Sequence, residues 1–322
     1  KFYSKGNLTL ACTFFATIFV LMALVLPLYE RVAMLRLAES SFQNKLNTLK
    51  AIQSEKIDLL SKAHLVDAFR SRGEVSRKRK RVYDIFEAEW RCDDERRFGS
   101  HVFNIGDGPK WVCGESLLQQ VPDCLVYSIG SNWDFEFEYA VNKLAPQCHI
   151  HTFDGTLDFT TRELPEDLEN KNIYFHHVNI MPECTSDSSL ANPVLHGATL
   201  SSGESSQYPS ACFDQIVRDL GHSGRTVSWL KIDCEGCEFA VMPTILSSQI
   251  TIDQVFIEVH GVQFDNVLQL FKSFDESGLI AFHKEINQWC DGHGKHLPMC
   301  VEYSFMSLKH ARSVIYRTIL GA

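Results

Sequence analysis

Positive charge is scarce in this sequence: 31 lysine and arginine residues stand against 40 aspartates and glutamates, and the net charge is −9. Without a basic field to attract phosphates, no nucleic-acid partner is expected. The sequence also lacks the three-glycine fingerprint of dinucleotide-binding folds, which disfavours NAD as a cofactor. No internal repeat is evident, and 322 residues with 45% hydrophobic content suffice for one large domain with an appendage.

The N-terminal region contains a nearly uncharged run of 22 residues, Leu8–Tyr29, that is long enough to cross a bilayer. Lys1 and Lys5 precede it, and Arg31 follows. This pattern predicts a cytosolic tail and signal anchor over 1–29, giving a single-pass type II membrane protein of the secretory pathway with a lumenal catalytic domain. A cleaved signal peptide and a secreted product are the alternative.

Cysteine is abundant, with eleven residues, ten of which follow the predicted anchor. An even number of cysteines beyond such an anchor predicts disulfides formed in an oxidising lumen. Reduced, buried cysteines are the alternative interpretation.

The next segments differ in composition. Residues 30–81 are polar with spaced apolar residues, which predicts a helical stem that could pair two copies of the chain. The basic run Arg77–Arg81 is a solvated stretch of this stem or a processing site. Residues 82–124 contain the Gly106–Pro109 turn and are interpreted as a cysteine-containing N-terminal subdomain.

From residue 125 to residue 322, apolar strand-like runs alternate with helical patterns, which predicts a doubly wound α/β domain with a mostly parallel sheet. A Ser-rich loop interrupts the pattern at 185–210. Strands are expected over Leu125–Ile129, His149–Phe153, Ile173–Val178, Ser228–Asp233, Gln254–Val259, 279–286 and 301–308. Helices are expected over about 134–145, 211–220, 238–248 and 264–277.

Two strand ends indicate a cofactor site. Gly130-Ser-Asn132 follows the first strand and allows the backbone to approach a ligand, and the next helix begins near Asp134 with its amides exposed. Asp154 ends the second strand, 24 residues after Gly130, where its carboxylate could accept hydrogen bonds from ribose hydroxyls. The ligand is interpreted as S-adenosylmethionine, although a simple surface turn would have a similar sequence.

Acidic residues follow the fourth strand, and a histidine ends the fifth. Asp233 is expected to face the donor and acceptor, and Glu235, in the turn that follows, is a second candidate catalytic residue. The alternative is that Glu238, or Asp233, only stabilises the N-terminus of the next helix. His260 is the candidate general base for deprotonating a hydroxyl, and a histidine that is satisfied by Glu258 is the alternative.

Cys234-Glu-Gly-Cys237 is a single Cys-x-x-Cys sequence that could be a redox pair or half of a zinc site. Packing or disulfides to other cysteines are the preferred interpretation, and no metal site is expected.

The run Leu230-Lys-Ile-Asp-Cys-Glu-Gly-Cys-Glu238 resembles a motif of FkbM-type S-adenosylmethionine-dependent methyltransferases. The segments 107–113 and 124–138 are similar to the animal methyltransferase-like protein 24 group. The resemblance implies a Rossmann-like class I methyltransferase fold, with a seven-stranded sheet whose last hairpin is antiparallel. It also implies donor contacts at Gly130, Asn132 and Asp154, and an active site shaped by Asp233 and Glu235.

FkbM-type enzymes usually methylate hydroxyl oxygens, so the resemblance implies O-methylation of a hydroxyl on a glycan or small molecule. Trp133 departs from the family pattern, and its ring is expected to crowd or cover the donor pocket. A catalytically inactive scaffold of the same fold and another Rossmann enzyme, such as a nicotinamide oxidoreductase, are the alternatives.

Overall fold

The computed structural model describes residues 25–44, 86–100, 104–184, 210–261, 263–287 and 300–320, with positions 22, 23, 47, 48, 51, 54, 55, 58 and 83. The chain divides into two compact units, one comprising 1–52 and 312–322 and the other comprising 53–311. In the first unit, residues 25–44 are helical, and Arg312 donates a hydrogen bond to Gln43 and pairs with Glu39.

The predicted single-pass membrane anchor, with its lumenal catalytic domain, is contradicted. Among the described residues, we find no helix that combines the length and the apolar character required to span a bilayer. The helical residues 25–44 share only Val25–Tyr29 with the predicted span. Positions 8–21 and 24 of the predicted span lie outside the described residues, as do the basic run at 77–81 and the Ser-rich positions 185–209.

The second unit is built around a seven-stranded sheet with the order β10-β11-β9-β8-β3-β4-β5. The strands are β1 (Glu95–Phe98), β2 (Lys110–Cys113), β3 (Leu125–Ile129), β4 (His149–Phe153), β5 (Ile173–His176), β6 (Asn179–Met181), β7 (Ser210–Cys212), β8 (Thr226–Ile232), β9 (Thr251–His260), β10 (Leu279–Ile286) and β11 (Cys300–Ser307). The helices of this unit are α1 (Glu115–Leu118), α2 (Glu136–Leu144), α3 (Phe213–Asp219), α4 (Glu238–Ser247) and α5 (Phe264–Glu276), with a 3-10 turn at Glu169–Lys171. Helix α6 (Leu308–Leu320) begins in this unit and ends in the first.

Strand direction defines the fold. β3, β4, β5, β8 and β9 run parallel, and β11 lies antiparallel between β9 and β10. This arrangement confirms the Rossmann-like methyltransferase fold with a mostly parallel seven-stranded sheet. The parallel order places the carboxyl ends of β3, β4, β8 and β9 at one edge, where ligands bind in open α/β sheets.

Hydrophobic periodicity explains the packing around the sheet. Buried residues in β8 form an almost continuous run, as expected for a strand covered on both faces. In α5, Val267, Leu270, Phe271 and Phe274 recur at helical spacing and are buried. Phe274 stacks on Phe305 of β11 at 4.0 Å between ring centroids, so α5 packs against the antiparallel part of the sheet.

The observed elements differ from the predicted ones mainly outside the alternating pattern. The chain was expected to end in a strand, but β11 is followed by helix α6. Two small sheets, β1-β2 antiparallel and β6-β7 parallel, have no counterpart in the prediction. Their strands have three or four residues, too few for a period of two to emerge from the sequence. The division at 124/125 and pairing of two chains through the stem stay predictions.

Disulfides are present, as predicted. They join Cys92 to Cys113, Cys124 to Cys148, Cys184 to Cys212 and Cys234 to Cys237, and Cys300 is also disulfide-bonded. The bond between Cys124 and Cys148 connects the residues that precede β3 and β4, so it ties together the starts of two neighbouring strands.

Peptide mapping under non-reducing conditions should recover the pairs Cys92–Cys113, Cys124–Cys148, Cys184–Cys212 and Cys234–Cys237. After reduction and alkylation, the same peptides should separate, except for the one containing Cys234 and Cys237. Free thiols at these eight positions in the folded protein would contradict the assignment.

A group of buried histidines lies between β4, β5 and the loop before β8. His151 Nδ1 is 2.9 Å from His176 Nε2, and Tyr127 Oη is 2.6 Å from His222 Nδ1. Burial, together with the charges of neighbouring His176, His222, His149 and Arg225, lowers the pKa of His151 to about 2. Burial likewise lowers the pKa of His222 to about 4, so His151 and His222 are neutral in the folded protein at neutral pH.

The free energy of unfolding should fall as the pH decreases below about 6.5. In this range His151 binds a proton in the unfolded chain but stays neutral in the folded one, so protonation favours the unfolded state. Between pH 7 and pH 5, His151 should account for at most ~2 kcal/mol of this loss. Urea denaturation at several pH values measures it. His151→Phe should make the pH dependence shallower, whereas His149→Gln, at the half-exposed end of the same strand, should not. Equal slopes for both variants would contradict the assignment.

Candidate functional site

A cavity of about 1060 Å³ opens at the carboxyl ends of β3, β4, β8 and β9. Every site residue predicted from the sequence lines it: Gly130, Asn132, Asp134, Asp154, Asp233, Glu235 and His260. Apolar side chains, including those of Phe153, Val178 and Ile180, line it as well. A cavity of this size and mixed lining is typical of a small-molecule site, although the individual roles of these residues stay predictions.

Gly130 allows two strand ends to meet. Its φ is +83°, and a Cβ atom at this position would lie 1.7 Å from the carbonyl oxygen of Asp233. The backbone ladder continues past both strands, because Gly130 N donates to Phe153 O and Asp233 N donates to Ile129 O, each at 2.9 Å. Gly130 is therefore required for close packing of β3 against β8, in addition to any contact with a ligand.

Asp154 fixes the loop that follows Gly130. Its Oδ2 accepts hydrogen bonds from the backbone N–H groups of Ser131 and Asn132, both at 2.9 Å. Its Oδ1 accepts from Thr156 N at 2.9 Å and Thr156 Oγ1 at 2.7 Å. Burial alone would raise the pKa of Asp154, but these donors outweigh burial and lower it. Most of the acceptor capacity of this carboxylate is thus used within the protein.

The residues after Ser131 form a tight left-handed turn, with φ of 45° at Asn132 and 67° at Trp133. Asn132 is exposed, and Asp134 Oδ1 accepts a hydrogen bond from Glu136 N at the start of α2. The expected crowding of the pocket by Trp133 is not found. Its ring packs edge-on against Phe159 and beneath Arg162, and it is not among the residues that line the cavity.

A buried lysine joins the N-terminal sheet to the cavity floor. Lys110 of β2 is 1% exposed, and its Nζ lies 2.5 Å from Glu302, 3.3 Å from Asp233 and 3.6 Å from Glu258. Burial lowers the pKa of Lys110, but the three carboxylates outweigh burial and raise it. The lysine is therefore charged and neutralises part of a group of acids that could not otherwise be buried together.

The charges around Asp233 keep this carboxylate ionised. Burial would raise its pKa, but Lys110, Lys231 and His260 together lower it. Lys231 Nζ is itself held by Gly130 O at 2.6 Å, so β8 contributes both an acid and the cation that stabilises it. Glu258 behaves oppositely, because burial and the neighbouring Asp233 and Glu302 raise its pKa.

His260 lies at the end of β9 with both ring nitrogens facing carboxylates. Nδ1 is 2.8 Å from Glu238 Oε1, and Glu238 is fully buried at the start of α4. Nε2 is 3.6 Å from Glu235 and 3.9 Å from Asp233. Burial lowers the pKa of His260, but the hydrogen bond to Glu238 and the surrounding acids raise it. Asp233, Glu235 and His260 are called the acceptor-site cluster below.

The turn between β8 and α4 presents Glu235 to the cavity. Glu235 has a φ of 55°, and its side chain is 87% exposed. Cys234 and Cys237 form a disulfide on either side of Glu235 and Gly236, so the turn is cross-linked at both ends. This pairing excludes the zinc-ligand alternative for the Cys-x-x-Cys sequence while the disulfide is intact, because neither sulfur is a thiolate.

Sequence reasoning missed three charged residues of the site, Lys110, Lys231 and Glu302, and named Glu258 only as a possible partner of His260. Lys231 stands in the strand-β8 motif, and Glu258 has period-two spacing with His260, so both carried a local signal. Lys110 and Glu302 carried none, because they come from β2 and β11, which are remote in sequence and meet only in the folded chain.

Gly130→Ala should destabilise the protein by more than ~4 kcal/mol, because the new Cβ would overlap the Asp233 carbonyl oxygen. Gly221→Ala is the matched control, since Gly221 has a φ of +71° but no atom within 4 Å of the added Cβ. The control should lose only ~1–2 kcal/mol. Denaturant unfolding measures both, and equal losses would show that the contact with Asp233 is unimportant.

Solved structures that this chain resembles include two remote matches. A fibrillarin pre-rRNA processing protein from Methanococcus jannaschii is 8% identical, with 58% of this chain and 67% of that chain covered and a TM-score of 0.35. A precorrin-6y C5,15-methyltransferase from Geobacter metallireducens GS-15 is 7% identical, with 60% and 84% covered and a TM-score of 0.31. Similarity at this level assigns neither an activity nor a substrate.

No curated protein matches the sequence significantly. A family model described as a methyltransferase domain, Methyltransf_22, matches residues 41–307. The match includes all seven strands of the main sheet and every residue of the acceptor-site cluster, and such a domain implies an S-adenosylmethionine-type methyl donor. The chain therefore belongs to the Methyltransf_22 family of methyltransferase domains.

Proposed function

We propose that this protein transfers a methyl group from S-adenosylmethionine to a hydroxyl oxygen of an acceptor bound at the acceptor-site cluster. The observation that carries the proposal is the convergence of Asp233, Glu235 and His260 on one end of a cavity that Gly130 and Asp154 line as well. These groups come from the four strand ends that form the ligand-binding edge of the parallel sheet, those of β3, β4, β8 and β9, and from the turn after β8.

The cavity fits a nucleoside-type donor. Its volume of about 1060 Å³ leaves room for a donor and an acceptor together. Phe153, Val178 and Ile180 offer apolar surface for a flat base, whereas Asp154, Asn132 and Asp134 offer polar groups beside it. Asp154 also holds the backbone of Ser131 and Asn132 in place, so it would shape the donor site even without a direct ribose contact.

The donor supplies an electrophilic methyl group on a sulfonium centre. The contribution of this chain is to orient the acceptor hydroxyl against that centre and to assist removal of its proton. The carboxylates of Asp233 and Glu235 suit these tasks, since they can accept a hydrogen bond from the acceptor hydroxyl. Their negative charge also attracts the sulfonium of the donor. Glu238 fixes the ring of His260 so that Nε2 faces the same space.

The strand-β8 motif at 230–238 supports a finer assignment to the FkbM type, and the segments 107–113 and 124–138 support one to the methyltransferase-like protein 24 group. Hydroxyl methylation follows from that assignment, and a glycan or small molecule is the proposed acceptor. The position of Trp133 outside the cavity lining favours an active enzyme over an inactive scaffold, because the ring leaves the cavity open.

Calorimetric titration of S-adenosylmethionine and S-adenosylhomocysteine into the full chain should show saturable binding of one molecule per chain. Asp154→Asn should weaken this binding by at least ~10-fold, equivalent to about 1.4 kcal/mol, because the amide NH2 that replaces one carboxylate oxygen cannot accept the hydrogen bonds from Ser131 and Asn132 or, in the other orientation, from Thr156.

Asp158→Asn is the matched control, because Asp158 accepts hydrogen bonds from Thr160 with the same 2.9 and 2.7 Å distances but is exposed outside the cavity lining. Its donor affinity should equal that of the unmodified chain, and NAD should not bind. A chain that melts cooperatively yet binds neither adenosyl compound would refute the proposal.

A further inference from the structure

Three carboxylate oxygens surround His260 Nε2 at distances longer than a hydrogen bond. Glu235 Oε2 and Glu258 Oε1 each lie 3.6 Å from this nitrogen, and Asp233 Oδ1 lies 3.9 Å from it. Hydrogen bonds between nitrogen and oxygen are about 2.7–3.2 Å long, so none of these three contacts is one. Several potential ligand atoms therefore surround a common space without bonding to one another.

This spacing matches that of atoms that share a metal ion. Carboxylate oxygens and imidazole nitrogens bind divalent ions at about 2.0–2.2 Å, which places neighbouring ligands of one ion about 3–4 Å apart. The ligand atoms of Asp233, Glu235 and His260 all lie within 4.8 Å of one another. Because the surrounding acids outweigh burial and raise the pKa of His260, its Nε2 would release a proton to water when it binds the ion. Glu235 is exposed on its turn, so its side chain can close the remaining distance.

A second carboxylate behind His260 provides independent support. Glu238 Oε1 holds Nδ1 at 2.8 Å, which is the arrangement that orients metal-binding histidines in other proteins and leaves Nε2 facing the ion. Glu238 is fully buried, and its Oε2 has no hydrogen-bond donor within the part of the chain that the structure describes. A buried acid of this kind adds attraction for a cation on the opposite side of the ring.

Two overlapping clusters are less suitable. One combines Glu258 and His260 with Cys300, but the Cys300 sulfur is in a disulfide and offers no thiolate. The other combines Asp107, Glu258 and Glu302, but the ammonium group of Lys110 already lies 2.5 Å from Glu302 and 3.6 Å from Glu258. Lys110 contacts Asp233 through Oδ2, which leaves Oδ1 directed toward His260.

We propose that the acceptor-site cluster of Asp233, Glu235 and His260 binds a divalent metal ion of the kind that accepts both carboxylate and imidazole ligands, such as Mn²⁺. The role of this ion in catalysis rests on the proposed methyltransferase function, whereas ion binding itself does not. A hydroxyl bound to this ion would release its proton to water more readily. The acceptor oxygen would then bond to the methyl carbon as the carbon–sulfur bond breaks and its electron pair passes to sulfur.

Titration with Mn²⁺ alone, followed by the electron paramagnetic resonance signal of the free ion, tests the site in the full chain. The unmodified protein should bind one Mn²⁺ per chain at this site, and Zn²⁺ should displace it. Glu235→Gln should weaken binding by at least ~10-fold, because it removes one ligand from an exposed position and leaves the core intact. His260→Gln should do the same, provided that its melting curve stays cooperative.

Glu163→Gln is the control for loss of one exposed carboxylate elsewhere, and its Mn²⁺ affinity should be unchanged. Equal Mn²⁺ binding by the unmodified chain and Glu235→Gln, or no binding by either, would overturn the metal site. Binding of S-adenosylhomocysteine, measured separately, distinguishes the two proposals. Donor binding without Mn²⁺ binding would leave the methyltransferase proposal standing, and Mn²⁺ binding without donor binding would leave the metal site standing.

Discussion

The site depends on one buried cation. Lys110 lies among Asp233, Glu258 and Glu302, whose carboxylates come from the ends of β8, β9 and β11. Acids this close would repel one another strongly in a medium of low dielectric constant, so the strand ends could not meet without a positive charge between them. The small β1-β2 sheet therefore stabilises the site, because its strand β2 places the ammonium group of Lys110 between these three acids.

The same balance of charge divides the carboxylates into two chemical states. Asp233, beside two lysines and His260, has a lowered pKa, whereas Glu258 has a raised one. Two acids a few ångströms apart thus differ in their affinity for protons because of their neighbours. The ionised acid faces the cavity, which suits a site that binds a sulfonium or a metal cation.

Local sequence pattern predicted most of the main sheet, because its strands are buried runs separated by amphipathic helices. Leu125–Ile129 and His149–Phe153 were predicted with their observed bounds, and the residues of the predicted site all line one cavity. These residues follow strands directly, so the rule that parallel strands end at one edge was sufficient.

The parts that sequence did not reveal depend on long-range contacts. Lys110 looked like part of a separate subdomain, and its partners lie more than 120 positions away. The predicted membrane anchor was wrong, since no helix among the described residues is both long and apolar enough to span a bilayer.

The position of β11 has a consequence for how the chain must fold. β11 lies between β9 and β10, so β10 is joined to the main sheet only through a strand that comes later in the sequence. During synthesis, a chain that stops before residue 300 could form the parallel strands but would leave the outward edge of β9 open. Glu302 would also be missing, and Lys110 would lack its nearest partner. We therefore expect β10 and β11 to join the sheet in the same late folding step in which Glu302 reaches Lys110 and balances the charge of the site.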